Sequence, residues 1–159
     1  MVKKIKKPKK ITKASEEKKR KSLAKKCLKL WSKAVRLRAG NKCKFCGSSM
    51  FLNAHHLEEK TGSKALKLDL RNGIALCAKH HKFDNKDSAH KSFCFTLALL
   101  DQDTIDYLKQ HRKDEVEFTY EYLTAKCAEL TSIINSIRKD QDGTGTASPA
   151  TEANDKATS

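Results

Sequence analysis

Two half-sites with matching spacing stand out in this chain: Cys43-x2-Cys46 and Cys77-x2-His80. Two thiolates three residues apart on a tight turn can grip one tetrahedral ion. Gly47, directly after the first pair, gives the backbone freedom to turn. The second half-site adds a third sulfur and an imidazole nitrogen. Together they predict a closed Cys3His zinc centre, whose binding energy adds to the folding of a core with little apolar bulk. Two half-sites at equal spacing carry far more weight than one. Cys27, Cys94 and Cys127 occupy apolar helical positions instead, where core packing is the expected role.

Between the half-sites stands the doublet His55-His56. On a strand, adjacent side chains point to opposite faces, so one ion does not easily take both. A division of labour is simpler, with one imidazole on a metal and the other left as a base. An imidazole titrates near ~6.5 and can accept a proton at neutral pH.

These groups need elements to hold them. Residues 51–57 and 73–76 read as two short strands, 58–70 as a polar loop around Gly62, and a helix is expected from Ala78 or Lys79. Ahead of them, Ser15 followed by Glu16 and Glu17 reads as a helix start, with acids at the positive end of the dipole. Leu23, Cys27, Leu30, Ala34 and Leu37, widened by Trp31, then form one helical stripe, and Gly40 is the expected stop. After residue 90 the chain reads as helical. Phe93, Leu97 and Leu100 share one face, and Asp101 or Asp103 can cap a helix holding Ile105 and Leu108. Val116, Tyr120, Leu123, Cys127, Leu130, Ile134 and Ile137 follow a seven-residue period. The simpler reading is a core stripe packed on the stripe at 23–37; the other is a helix-mediated dimer. The organisation expected is a basic arm at 1–14, a basic amphipathic helix at 15–40, a chemical core at 41–92, a helical region at 93–139 and a disordered tail at 140–159. The fold class expected is α+β.

Of the 34 Lys and Arg, 18 lie in residues 1–42, with only 2 of the 19 acids, so that quarter carries +16 and the rest −1. Such a block cannot bury itself and calls for a polyanion. Nucleic acid is the natural partner, since the arm has few apolar anchors for a membrane surface. No apolar run is long enough to span a bilayer. The start of the chain has charge but no apolar stretch behind it, so no secretory signal is expected. Six cysteines without such a signal suggest a reducing, cytoplasmic setting, where cysteine pairs more often bind metal than form disulfides.

The run Cys43-x2-Cys46, His55-His56-Leu57, Asn72-Gly-Ile-Ala-Leu-Cys77-x2-His80-His81 resembles the HNH endonuclease family, and most closely the small zinc-knuckle type of bacteria and their phages. The resemblance covers about residues 40–90. It implies a ββα-metal core and a nuclease. His56 would be the general base that activates water. Asn72 would brace the loop between the strands and orient that base. His55 and His81 would hold a catalytic ion, with Asn85 a weaker ligand where many members carry histidine, and Asp84 its neighbouring competitor. The family usually has cysteine at the fourth zinc position, so His80 and His81 are partly interchangeable on sequence alone. With fewer protein ligands, the catalytic ion would be one that keeps several waters, Mg²⁺ or Mn²⁺. The implied reaction leaves 5′-phosphate and 3′-hydroxyl ends.

On this reading the basic helix, through Lys25, Lys26, Lys29, Lys33, Arg36 and Arg38, holds DNA by its backbone, largely without reading sequence. The chain has few aromatics, and none is expected to cluster as a base-stacking platform, so duplex DNA is favoured over RNA. A bacterial or phage-infected cell would be the setting. The alternative is a zinc-stabilised DNA-binding module without chemistry, in which His55 and His56 are structural.

Overall fold

A computed structural model of the protein describes residues 13–58, 64–81 and 100–143. Its α+β architecture joins helices to one two-stranded antiparallel sheet. Helix α1 spans Lys13–Arg38. It begins two residues before the expected Ser15. It ends as Gly40 predicts: Gly40 takes φ 61°, its N–H donates to the Leu37 carbonyl, and the Asn41 N–H donates to that of Arg36. This pair of bonds satisfies carbonyls that the helix leaves open. Arg36 and Arg38 in the last turn sit at the negative end of the dipole.

Strand β1 (Leu52–His56) pairs with β2 (Gly73–Cys77), with His55 opposite Ile74 and His56 opposite Gly73. All five residues of β2 are buried. A strand covered on both faces reads as a continuous apolar run, and Gly-Ile-Ala-Leu-Cys does. Helix α2 begins at Ala78 and is described through His81. The polar loop expected at 58–70 is a correction. It holds a 3-10 turn at Ala65–Leu68, and a second follows at Leu70–Asn72. Leu66 and Leu68 are buried there. Such short turns have too few residues to show a period.

Helix α3 spans Gln102–His111 and is capped by Asp101, whose carboxylate accepts from the backbone N–H and hydroxyl of Thr104. Those two bonds hold the Asp101 carboxyl below the ordinary range. Helix α4 spans Tyr120–Gly143 and is capped by the preceding Thr119, whose hydroxyl accepts from the Tyr122 N–H. The expected seven-residue stripe is therefore shorter than its sequence pattern. Val116 precedes the helix, Tyr120 is exposed, and Leu123, Cys127, Leu130 and Ile134 are buried. They meet Cys27, Trp31, Ala34 and Val35 of α1 in the main core, the packing the simpler reading expected. Cys27 and Cys127 go beyond packing. They form a disulfide between α1 and α4, with Cα atoms 5.1 Å apart. Helix α4 also runs through Gly143, past the start expected for a disordered tail. The arm at 1–12, Phe93, Cys94, Leu97 and residues 144–159 lie outside the described residues. No helix among the described residues is long and apolar enough to cross a membrane.

Candidate metal centre and histidine doublet

The knuckle is built by its own backbone. The Gly47 N–H donates to the Cys43 carbonyl, the Cys43 N–H to that of Ser48, and the Lys44 N–H to that of Ala75, which ties the turn to β2. Gly47 takes φ 71°, a conformation that side chains rarely adopt. The turn thus presents Cys43 and Cys46 to Cys77, at the end of β2, and to His80 on the first turn of α2.

The donor atoms of these four residues all lie within 4.8 Å of one another. Among the described residues they are the one such group of three or more His, Cys, Asp or Glu donors. The Cys46 and Cys77 sulfurs are 3.9 Å apart, and His80 Nδ1 lies 3.6 Å from the Cys43 sulfur and 3.2 Å from that of Cys77. With metal–sulfur bonds of about 2.3 Å and metal–nitrogen bonds of about 2.0 Å, a tetrahedron has sulfur–sulfur edges of about 3.8 Å and sulfur–nitrogen edges of about 3.5 Å. The donors fit one zinc-like ion. Burial alone would raise the Cys43 thiol. Backbone N–H groups of Cys77, Cys46 and Phe45, with His80, outweigh it and pull the thiol down to about 6, which favours the ligating thiolate. At Cys46 the Ser48 backbone draws the thiol down, but desolvation and the neighbouring Cys43 and Cys77 leave it above the ordinary range.

No family model, curated protein or solved structure matches this chain. The site is therefore read from its own geometry.

His55 and His56 occupy opposite faces of β1, as alternation requires. His55 meets His81 of α2 edge to face, with ring centres 5.4 Å apart. Asn85, expected beside them, lies outside the described residues. His56 faces α1. It is buried, stacks on Trp31 at 3.8 Å between ring centres, and places Nε2 2.9 Å from the Lys67 carbonyl. A carbonyl only accepts, so Nε2 carries the hydrogen, and in the neutral ring Nδ1 holds the lone pair.

Asn72 is buried and uses its whole amide. Oδ1 accepts from the Glu58 N–H at 2.6 Å, and Nδ2 donates to the carbonyls of Glu58 and Leu66. It pins both ends of the segment between the strands. One pinned carbonyl, on Leu66, lies in the turn whose next carbonyl orients His56.

Sequence reasoning missed the group behind this turn. The Asp69 carbonyl accepts from the Trp31 indole N–H, and its carboxylate accepts from the Arg71 N–H and the Tyr107 hydroxyl. That hydrogen bond to Asp69, with desolvation and the carboxylate's charge, pushes Tyr107 up to about 12. The lone Trp in the α1 stripe was the available signal, but its partners are distant in sequence.

Of the basic residues expected to hold nucleic acid, Lys25, Lys26 and Lys29 are exposed, while Lys33 and Arg36 are half-buried. Arg36 donates to the Ser32 hydroxyl, and Arg38 to the Gly73 carbonyl at 2.8 Å. Burial lowers the Arg38 guanidinium from its ordinary value, against the charge of Asp69. Arg38 is thus tied to the sheet.

Proposed function

We propose that this protein is a metal-dependent endonuclease that hydrolyses DNA phosphodiester bonds on a ββα-metal core. The observation that carries the reading is the meeting of His55 and His81 across β1 and α2, beside a separate Cys3His cluster. The two ring centres lie 5.4 Å apart, near enough for both imidazoles to reach one ion. The zinc-like ion would then belong to folding, and His55 and His81 would hold a Mg²⁺ or Mn²⁺ ion, with Asn85 the further ligand the resemblance implies. That ion would supply charge stabilisation at the scissile phosphate and the leaving 3′-oxygen.

His56 would be the general base; with its Nε2 hydrogen on the Lys67 carbonyl, Nδ1 is the basic nitrogen of the neutral ring. Trp31 closes one ring face and fixes the plane of the imidazole. Asn72 acts at one remove, by bracing the turn that supplies the Lys67 carbonyl. Lys25, Lys26 and Lys29 on the outer face of α1 hold the DNA backbone, helped by Lys33 and Arg36. The products carry 5′-phosphate and 3′-hydroxyl ends. The setting is a bacterial or phage-infected cell, with the Cys27–Cys127 disulfide standing against the reducing compartment expected from the sequence.

One observation favours a second reading, a zinc-stabilised DNA-binding module: a buried histidine stacked on tryptophan is also a good structural residue. The test is cleavage of supercoiled plasmid in Mg²⁺ or Mn²⁺ by wild type and His56→Ala, with a chelated control. The nuclease reading expects a loss of about 10²–10⁴-fold in rate, with folding, zinc and DNA binding retained. If neither protein cuts and both bind, the binding module takes its place.

A further inference from the structure

Among the described residues, Phe45, Met50 and Phe51 are 47, 65 and 76 % exposed, and all three lie within the stretch 43–51. Single exposed apolar side chains are ordinary, but three large ones on one short tip are not. Phe51 also takes φ 48°, in the left-handed region that bulky side chains avoid. Its ring is too exposed for packing to offset that strain. Backbone held in such a region with no packing reason is a mark of a functional contact.

The surroundings say what the contact is. Residues 36–57 contain Arg36, Arg38, Lys42 and Lys44 and no acid, and Lys42 and Lys44 are exposed. An apolar protein surface would meet the exposed Lys42 and Lys44 here, with Asp101 near Lys44 the acid that answers them. A nucleic acid offers phosphates to the lysines and flat apolar faces to the rings. Phe and Met are side chains that insert between base steps. The tip also leads directly into β1. Four residues at about 3.3 Å each separate Phe51 from His55, roughly 13 Å or about four base steps.

We infer that the knuckle tip is a wedge that stacks on exposed bases. The favoured substrate of the endonuclease proposed above is then DNA with unstacked or unpaired bases, cut about four nucleotides from the distortion. This inference rests on that nuclease reading for the cut and on the tip alone for the binding.

The test compares an intact duplex with one carrying a small bulge that contains 2-aminopurine. Binding is measured at one salt concentration and cleavage in Mn²⁺. The variants are Phe51→Asn, which suits the left-handed backbone, and Met50→Ser. Phe45 is left in place because its ring packs on His80. Wild type should bind the bulged duplex about tenfold or more tightly than the intact one and change the 2-aminopurine fluorescence. Each variant should lose most of that preference while keeping its affinity for intact duplex and its zinc. A preference without any cleavage would uphold the wedge and count against the nuclease. Cleavage with equal binding to both duplexes would uphold the nuclease and overturn the wedge. Variants that keep the full wild-type preference would also overturn it.

Discussion

On the α1 side of the sheet, Gly73 and Ala54 lie against a large apolar core in which Trp31, Val35, Leu123 and Leu130 are almost wholly buried. Among the described residues a second, smaller buried cluster holds Cys43, Ile74, Leu76 and Cys77, with Leu52 and Leu57 packed against it. Two of those four residues belong to the Cys3His cluster that could hold a metal. The first half can stand on apolar burial, reinforced by a disulfide. The second has little apolar surface among the described residues, and an ion held by the Cys3His cluster would add the binding energy it lacks. The two histidines of the doublet divide along the same line. His56 packs on Trp31 of the first cluster, and His55 meets His81 on the helix that also carries His80.

Removing the ion should separate the halves most sharply. Structural zinc is worth about 10 kcal/mol or more to small domains. Chelation or Cys77→Ser should therefore release the ion and let the amides of 43–48 and 73–77 exchange freely. The amides of α1 and α4 should stay protected. Hydrogen exchange with metal analysis reads both, and simultaneous loss of protection everywhere would erase the distinction.

The converse experiment removes the disulfide with Cys27→Ala and Cys127→Ala. The bond spans 100 residues of sequence, so its loss should lower stability by about 2–5 kcal/mol in denaturant titrations, with zinc content unchanged. Zinc loss in the disulfide-free variant would mean that the halves are coupled.

Gly73→Ala acts at the seam. A Cβ there would run into the Val35 side chain and come within 2.9 Å of Trp31. The variant should cost about 1–3 kcal/mol and disturb the Trp31 fluorescence. A neutral result would mean that α1 shifts easily over the sheet.

The smallest effect concerns Tyr107. Its folded pKa, about 12, lies above the unfolded value, so the neutral hydroxyl is the stabilised form. The Tyr107–Asp69 bond contributes fully below the ordinary tyrosine range and is lost as pH rises through about 12. Ultraviolet titration should show one tyrosine ionising late, and Asp69→Asn should bring it back toward ~10. The turn that orients His56 would loosen with it.

What was legible in the chain was local or periodic. The donor spacing of the knuckle is set within a few residues, so Cys43, Cys46, Cys77 and His80 were assigned together and the structure gathers them. The stripes of α1 and α4 repeat often enough to show the faces that meet. Alternation along β1 was enough to separate His55 from His56. The stacking of His56 on Trp31, the hub at Asp69 and the Cys27–Cys127 bond join residues 25 to 100 positions apart, and no local pattern encodes such pairings. Leu66 and Leu68 looked like parts of a polar loop because a 3-10 turn of four residues has no period to read.

The most direct measurement takes His55→Ala and His81→Ala, counts zinc per chain, and assays plasmid cleavage in Mg²⁺ or Mn²⁺ beside wild type. Two separate centres require that each variant keep one zinc, stay folded and bind DNA, while cleavage falls by about 10²-fold or more. Variants that cut as well as wild type, or that lose their zinc along with their cutting, would contradict the assignment of an open catalytic centre beside a closed structural one.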